Sequence, residues 1–226
     1  MALPRALSPS GILLLDKPAG PSSFALVREV RNRTGARTGH AGTLDPFATG
    51  LLVILSGSAT RLAQRFVGLD KRYITDVRLT ARTSTGDPEG ESIEELEPPA
   101  ADELERRLDA LRGEIELPIP AASAVKVGGV RAYRLARRGV AVKMPLRRSR
   151  VYELELLDFD GETARLDLRV SSGTYVRAIA DAVGGHCRTL RRIQVGPFHV
   201  DDADPDRLLP HEVALARVAG WNGEQA

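Results

Sequence analysis

The sequence predicts a mixed α/β (α+β) protein: a largely antiparallel sheet flanked by helices. Three observations predict it. Short apolar or alternating runs that read as strands outnumber the helical patterns. Several of these runs follow one another across tight turns, which suits antiparallel pairing. No phosphate loop and no dinucleotide fingerprint follows any strand, so a doubly wound fold has no seat for ATP or NAD.

The elements follow in order. "MALPRALSPS" lacks a long apolar run, so residues 1–10 read as a loose tail and not a signal peptide. "GILLLD" is a buried strand that breaks at "KPAGPSS". Ser22 or Ser23 caps the next helix, which buries Phe24, Val27 and Val30 and stops at Gly35. "LLVIL" is a second buried strand, and Leu62, Phe66 and Leu69 mark the helix after it. "KRYITDVRLTAR" alternates, with Tyr73, Thr75, Val77, Leu79 and Ala81 on one face. A helix over 101–112 carries Leu104, Leu108 and Leu111 on one stripe and ends at Gly113. A short helix is expected around 132–138 between glycines. Two alternating strands come next, one facing inward through Tyr152, Leu154 and Leu156, the other through Ala164, Leu166, Leu168 and Val170. "SSGTYVRAIADAVGG" turns into a helix, "LRRIQVGPF" is a last strand, and "LLPHEVALARVAG" a short closing helix.

Composition narrows the class. The chain has 226 residues, 42% apolar and 27% charged, which suits a folded domain with a sizeable core. No apolar run approaches the roughly 20 residues that span a bilayer. The single cysteine, Cys187, excludes an internal disulfide and points to a reducing cytoplasm. His186 beside it, without companions, is too little for a zinc site, so no metal is expected. Net charge is +2 but unevenly placed: Lys126 to Arg150 holds nine basic residues and no acid, whereas Asp87 to Glu116 holds twelve acids against three arginines. The basic segment fits a polyanionic partner or, equally, a solvated helix and loop face.

One carboxylate stands out. In "HAGTLDPFATG", Asp45 lies between glycines and before Pro46. Proline pushes its predecessor toward extended geometry and donates no hydrogen bond. Asp45 therefore sits on a short stiff loop. Such a loop can mount a reactive group, and an aspartate can equally cap an ordinary turn there.

Six segments in sequence, "GILLLDKPAGPSSFALV", "TGHAGTLDPFATGLLVI", "KRYITDVRLTARTSTGDPEG", "SAVKVGGVRAYRLARRG", "SSGTYVRAIADAVG" and "LRRIQVGPF", closely resemble the bacterial tRNA pseudouridine-55 synthase family (TruB type). The resemblance runs from about Gly11 to Phe198. It implies the pseudouridine synthase fold and the cofactor-free isomerisation of one uridine in the T arm of tRNA. It makes Asp45 the catalytic carboxylate, acting either on the ribose C1′ or in removing a sugar proton. Arg177 becomes its cationic partner. Tyr73 stacks on the target base and relays a proton. Tyr175 and Leu190 line the substrate pocket, His40 fills the space the flipped base leaves, and Lys17 braces the catalytic region. Taken singly, Arg177 reads as a surface arginine, Tyr73, Tyr175 and Leu190 as core residues, and His40 as a loop histidine. Asp87 lies in a family motif whose role the sequence leaves open.

By the same resemblance the basic segment, about 123–150, is a flap closing on RNA. Arg131, Arg134, Arg137, Arg138, Arg147 and Arg148 would hold phosphates, with Arg150 beside them. The catalytic domain is expected over 11–200, and 201–226 as a short remnant and no complete further RNA-binding domain. Ala121 and Ala122 stand where many relatives carry bulkier residues. The stretch from Arg177 to Leu190 is several residues shorter than in many relatives. The expected partner is the tRNA T-arm stem-loop, bound by a cytoplasmic monomer with no membrane or cofactor. Two other readings share the scaffold: a guide-dependent ribosomal RNA synthase subunit, and an RNA-folding chaperone.

Overall fold

The computed structural model of the protein describes residues 9–132, 134 and 143–223. The chain opens with β1 (Gly11–Lys17), α1 (Ser23–Thr34), β2 (Thr38–His40) and β3 (Thr49–Ser56). A 3-10 turn over Gly57–Leu62 leads into α2 (Ala63–Val67) and then β4 (Lys71–Arg78). The middle holds β5 (Ala81–Thr83), β6 (Ser92–Glu95), α3 (Ala101–Asp109), β7 (Gly113–Pro118), β8 (Lys126–Val127), β9 (Val130–Arg131), β10 (Leu146–Phe159), β11 (Thr163–Val170) and α4 (Val176–Val183). The chain closes with β12 (His186–Val195), β13 (Phe198–His199), β14 (Leu208–Leu209) and α5 (His211–Ala219). The mixed, mostly antiparallel sheet with helices is the architecture the sequence predicts.

Two compact units divide these elements. Unit 1 comprises residues 1–74 and 190–226, and unit 2 residues 75–189. In unit 1, β1 pairs antiparallel with β14 and with β3, and β2 adds antiparallel to β3. The pairing of β3 with β12 is parallel, and β13 folds back antiparallel on β12. All of β3 except Thr49 is buried, as a continuous apolar run requires when both faces are covered. Its core joins Ile12, Leu14, Val53, Leu55, Phe66 and Phe198. Leu209 and Ala214 belong to the same core, so the segment after residue 200 is integral to unit 1. At the other end, Ser56 Oγ donates to the Pro9 carbonyl and Ser10 bonds Ser58, which pins the last residues of the expected tail.

In unit 2, β10 pairs antiparallel with β11 on one side and with β7 on the other. Hairpins β5–β6 and β8–β9 stand apart from that sheet. Strand β11 buries Ala164, Leu166, Leu168 and Val170, as its alternation predicts.

Several local expectations change. Tyr152 does not share the inward face: Val151 and Leu154 are buried, and Tyr152 is 38% exposed. The cause is a register shift between Val151 and Glu153, which flips the side-chain alternation. Phe24, expected inward with Val27 and Val30, is 70% exposed, because the buried stripe of α1 runs through Ser23, Leu26, Val27 and Val30. The expected helix over Leu62–Leu69 is a 3-10 turn followed by a five-residue helix. Helix α3 ends at Asp109, and Gly113, at φ +87°, opens a strand and caps no helix. The short helix expected at 132–138 falls almost wholly outside the described residues.

Candidate functional site

The loop between β2 and β3 carries Asp45, and three buried side chains of unit 1 fasten it. Lys17, fully buried at the end of β1, donates from Nζ to the carbonyls of Pro18 (2.9 Å), Pro46 (3.0 Å) and Ala48 (2.6 Å). Lysine suits this task because its ammonium carries three donors and no acceptor. Ser23, first residue of α1, clamps Leu44: its Oγ accepts from the Leu44 amide and donates to the Leu44 carbonyl, both at 2.8 Å. Its neighbour Ser22 is the helix cap, accepting from the Ala25 amide. Arg192, 1% exposed, donates to the carbonyls of Leu51 (2.8 Å), Gly42 (3.1 Å) and Thr43 (3.5 Å). The Gly20 amide adds a bond to the Pro46 carbonyl. The backbone on both sides of Asp45 is thus tied down, and Asp45 itself is half-buried.

Gly50 shows why the spacing is strict. It lies opposite Arg192 where β3 meets β12, at φ +102°. A Cβ there would stand 2.2 Å from the Arg192 carbonyl oxygen, so only glycine lets the two strands meet.

His40 ends β2, opposite Ile54. Its Nδ1 is enclosed without a hydrogen-bond partner among the described residues. Burial, then the Arg192 guanidinium, hold its pKa below the ordinary 6.5, so the ring is uncharged at neutral pH. Tyr73 and Leu190 are buried in the same unit, on β4 and β12. Unit 1 therefore holds Lys17, His40, Asp45, Tyr73 and Leu190.

Unit 2 holds the remaining predicted side chains. Arg177 lies in the first turn of α4 and is 3% exposed, which removes the surface-arginine reading. Its guanidinium donates to the carbonyls of Thr85 (2.6 Å) and Ala122 (3.0 Å) and lies 3.4 Å from the Asp87 carboxylate. Asp87, left open by the sequence, is a buried acceptor: it also takes bonds from Thr85 Oγ1 and the Glu89 amide. A cavity of about 340 Å³ in this unit is lined by Arg177, Thr85, Ala121 and Met144, among others. Tyr175 is half-buried just before α4 and lines a shallow cleft with Arg147. Gly173, at φ +80°, leaves room for the Arg147 guanidinium, which a Cβ would meet at 2.0 Å.

Of the predicted phosphate-binding residues, Arg131, Arg134, Arg147 and Arg148 are exposed. Arg137 and Arg138 lie outside the described residues. His186 and Cys187 are both buried; His186 Nδ1 bonds the Ala81 carbonyl at 2.8 Å, and Thr75 Oγ1 lies 3.7 Å from the Cys187 sulfur.

Sequence reasoning missed Ser23 as a clamp and missed Arg192 altogether. The signal for Arg192 was faint. In "TLRRIQV" the strand period alone sends Leu190 and Arg192 to one face and Arg191 to the other. It does not say which face is the interior. In the structure Arg191 bonds Asp16 outside while Arg192 turns in.

A family model described as the TruB family pseudouridylate synthase N-terminal domain matches residues 29–176. The chain is 45% identical over 222 residues to a protein of Leifsonia xyli subsp. xyli named tRNA pseudouridine synthase B, covering 91% of this chain and 74% of that one. It is 42% identical over 203 residues to the protein of the same name from Tropheryma whipplei (strain TW08/27), covering 84% of this chain but 53% of that relative. Among solved structures it resembles a chain of a Cbf5-Nop10-Gar1 complex at 30% identity and TM-score 0.63, covering 84% of this chain and 50% of that one.

Proposed function

Because the chain belongs to the TruB family of pseudouridylate synthases, we propose that it converts one uridine of the tRNA T loop to pseudouridine through the carboxylate of Asp45. The N1–C1′ bond breaks, the uracil turns, and C5 bonds to C1′. The C5 hydrogen leaves and N1 regains one, so the product is an isomer and nothing is oxidised or reduced. Asp45 acts ionised, either by attacking C1′ or by assisting removal of a sugar proton.

The observation that carries this reading is the fastening of the Asp45 loop by Lys17, Ser23 and Arg192. An aspartate that merely caps a turn does not need three buried side chains holding its neighbours. A carboxylate that must meet one sugar carbon does, since about 1 Å of misplacement can cost on the order of 100-fold in rate. In this scheme Arg177 is the cation paired with Asp45, and Asp87 holds that arginine's fork in place. Tyr73 stacks on the base and relays a proton, and Tyr175 and Leu190 pack on uracil and ribose. His40, uncharged, takes the space the extruded base vacates, offsetting part of a few kcal/mol of unstacking. Arg131, Arg134, Arg147 and Arg148 position phosphates.

The test is release of the C5 hydrogen from a T-arm stem-loop, without guide RNA, by wild type and by Asp45→Asn. Turnover by the wild type alone supports the proposal. Turnover that requires guide RNA and partner proteins supports the guide-dependent reading, which the likeness to the Cbf5 structure keeps in view. Binding and refolding of RNA without turnover in either protein supports a chaperone.

A further inference from the structure

Helix α1 has two basic faces with opposite fates. The Arg33 side chain is 8% exposed and engaged: it donates to the Pro205 carbonyl at 2.7 Å and pairs with Asp206 at 2.8 Å. Arg28 and Arg31 lie on the other side of the helix, exposed, and no acidic side chain among the described residues is within ion-pair distance of either. Phe24 continues their line, at i, i+4 and i+7, and is 70% exposed.

A single exposed phenylalanine needs no explanation, and neither does a solvated arginine. Their alignment on one stripe is a different matter. The line rises about 10 Å along the helix. It begins one residue after Ser23, whose hydroxyl holds both backbone polar groups of the residue before Asp45. The start of the stripe therefore adjoins the residue that anchors the Asp45 loop. Two guanidiniums without an acidic partner among the described residues, followed by an open aromatic face, suit phosphates and an unstacked base, and they repel a basic partner.

We propose that Phe24, Arg28 and Arg31 form an RNA-contact stripe, the arginines holding successive backbone phosphates of the substrate strand and Phe24 stacking on an unpaired base nearer the reacting uridine. This rests on the reading of the protein as a tRNA uridine isomerase.

The experiment measures tRNA affinity across salt concentrations for wild type, Arg28→Gln/Arg31→Gln, Phe24→Ala and Arg33→Gln, with circular dichroism to confirm folding. The double arginine variant should give a log K against log salt slope shallower by roughly 1.5, as expected for two lost phosphate contacts. Phe24→Ala should weaken binding at least about fivefold and keep the wild-type slope, because stacking releases no counterions. Arg33→Gln should keep the slope, and Arg28→Lys/Arg31→Lys should restore most of it. Unchanged slope and affinity in the first two variants would overturn the proposal, and would leave the face to a protein contact or to solvent. Wild-type turnover on the T-arm, measured alongside, separates that outcome from failure of the functional reading: an inactive wild type sinks the enzyme assignment, whereas an active one with unaffected stripe variants sinks only the stripe.

Discussion

Lys17→Met tests whether the Asp45 loop is held from beneath. Methionine keeps most of the volume and removes the ammonium. Three carbonyls then lose a donor, but unequally. Pro46 keeps the Gly20 amide at 2.8 Å, and the Pro18 carbonyl is only partly buried and can reach water. The Ala48 carbonyl, bonded at 2.6 Å in a buried setting, loses the most. One enclosed orphan acceptor costs about 1–3 kcal/mol. Relief from burying an ammonium offsets part of that. The net expectation is a loss of about 2 kcal/mol, which lowers the urea midpoint by about 0.8 M. Trp221, the sole tryptophan, lies in unit 1, so its fluorescence follows the transition that matters. The same change should slow single-turnover C5 hydrogen release by about 10- to 100-fold, because the loop is freed to move by a fraction of an ångström. A variant within about 0.5 kcal/mol of wild type, releasing hydrogen within about threefold of its rate, would refute the bracing argument.

Two further outcomes follow from the same unit. Gly50→Ala places a methyl 2.2 Å from the Arg192 carbonyl at a φ of +102°, and should destabilise by about 3 kcal/mol or more, read as a collapsed urea midpoint or insoluble protein; a stable, active variant would contradict the close strand approach. Lys71 is buried, with Nζ bonded to the carbonyls of Val67 and Leu69, and burial, then Arg192, push its pKa down to about 8 from 10.5, with Asp70 opposing. Between those two values the unfolded chain binds more protons than the folded one, so stability should rise with pH from about 8 to about 10.5, by at most about 3 kcal/mol. Lys71→Met should flatten that rise in urea midpoints measured across the window, and a rise that persists unchanged would assign it elsewhere.

Much of the fold was legible because its signals are local. The continuous apolar run of β3, the period of two in β4 and β11, and the Ser22 and Gly35 caps of α1 are each decided within a few residues. Where the sequence misled, a neighbour intervened. Tyr152 was turned outward by a bulge that depends on how β10 meets β11, and the guanidinium of Arg169 then came to rest 4.8 Å from its ring centroid. Strand β2 is three residues long and exists only because β3 offers it an edge.

The sequence alone determined that Asp45 sits on a stiff, non-helical loop, because Pro46 and the flanking glycines restrict the backbone whatever surrounds them. It also determined, through its ordered motifs, which family's chemistry to expect. Tertiary structure alone decided what holds that loop still. Lys17, Ser23 and Arg192 come from sites 28, 22 and 147 residues away along the chain from Asp45, counted from the numbering. No local pattern reveals that a lysine ends a strand inward or that the second of two adjacent arginines is the buried one. Burial of a charged side chain is settled by the carbonyls waiting at its far end, and those belong to segments that meet only when the chain has folded.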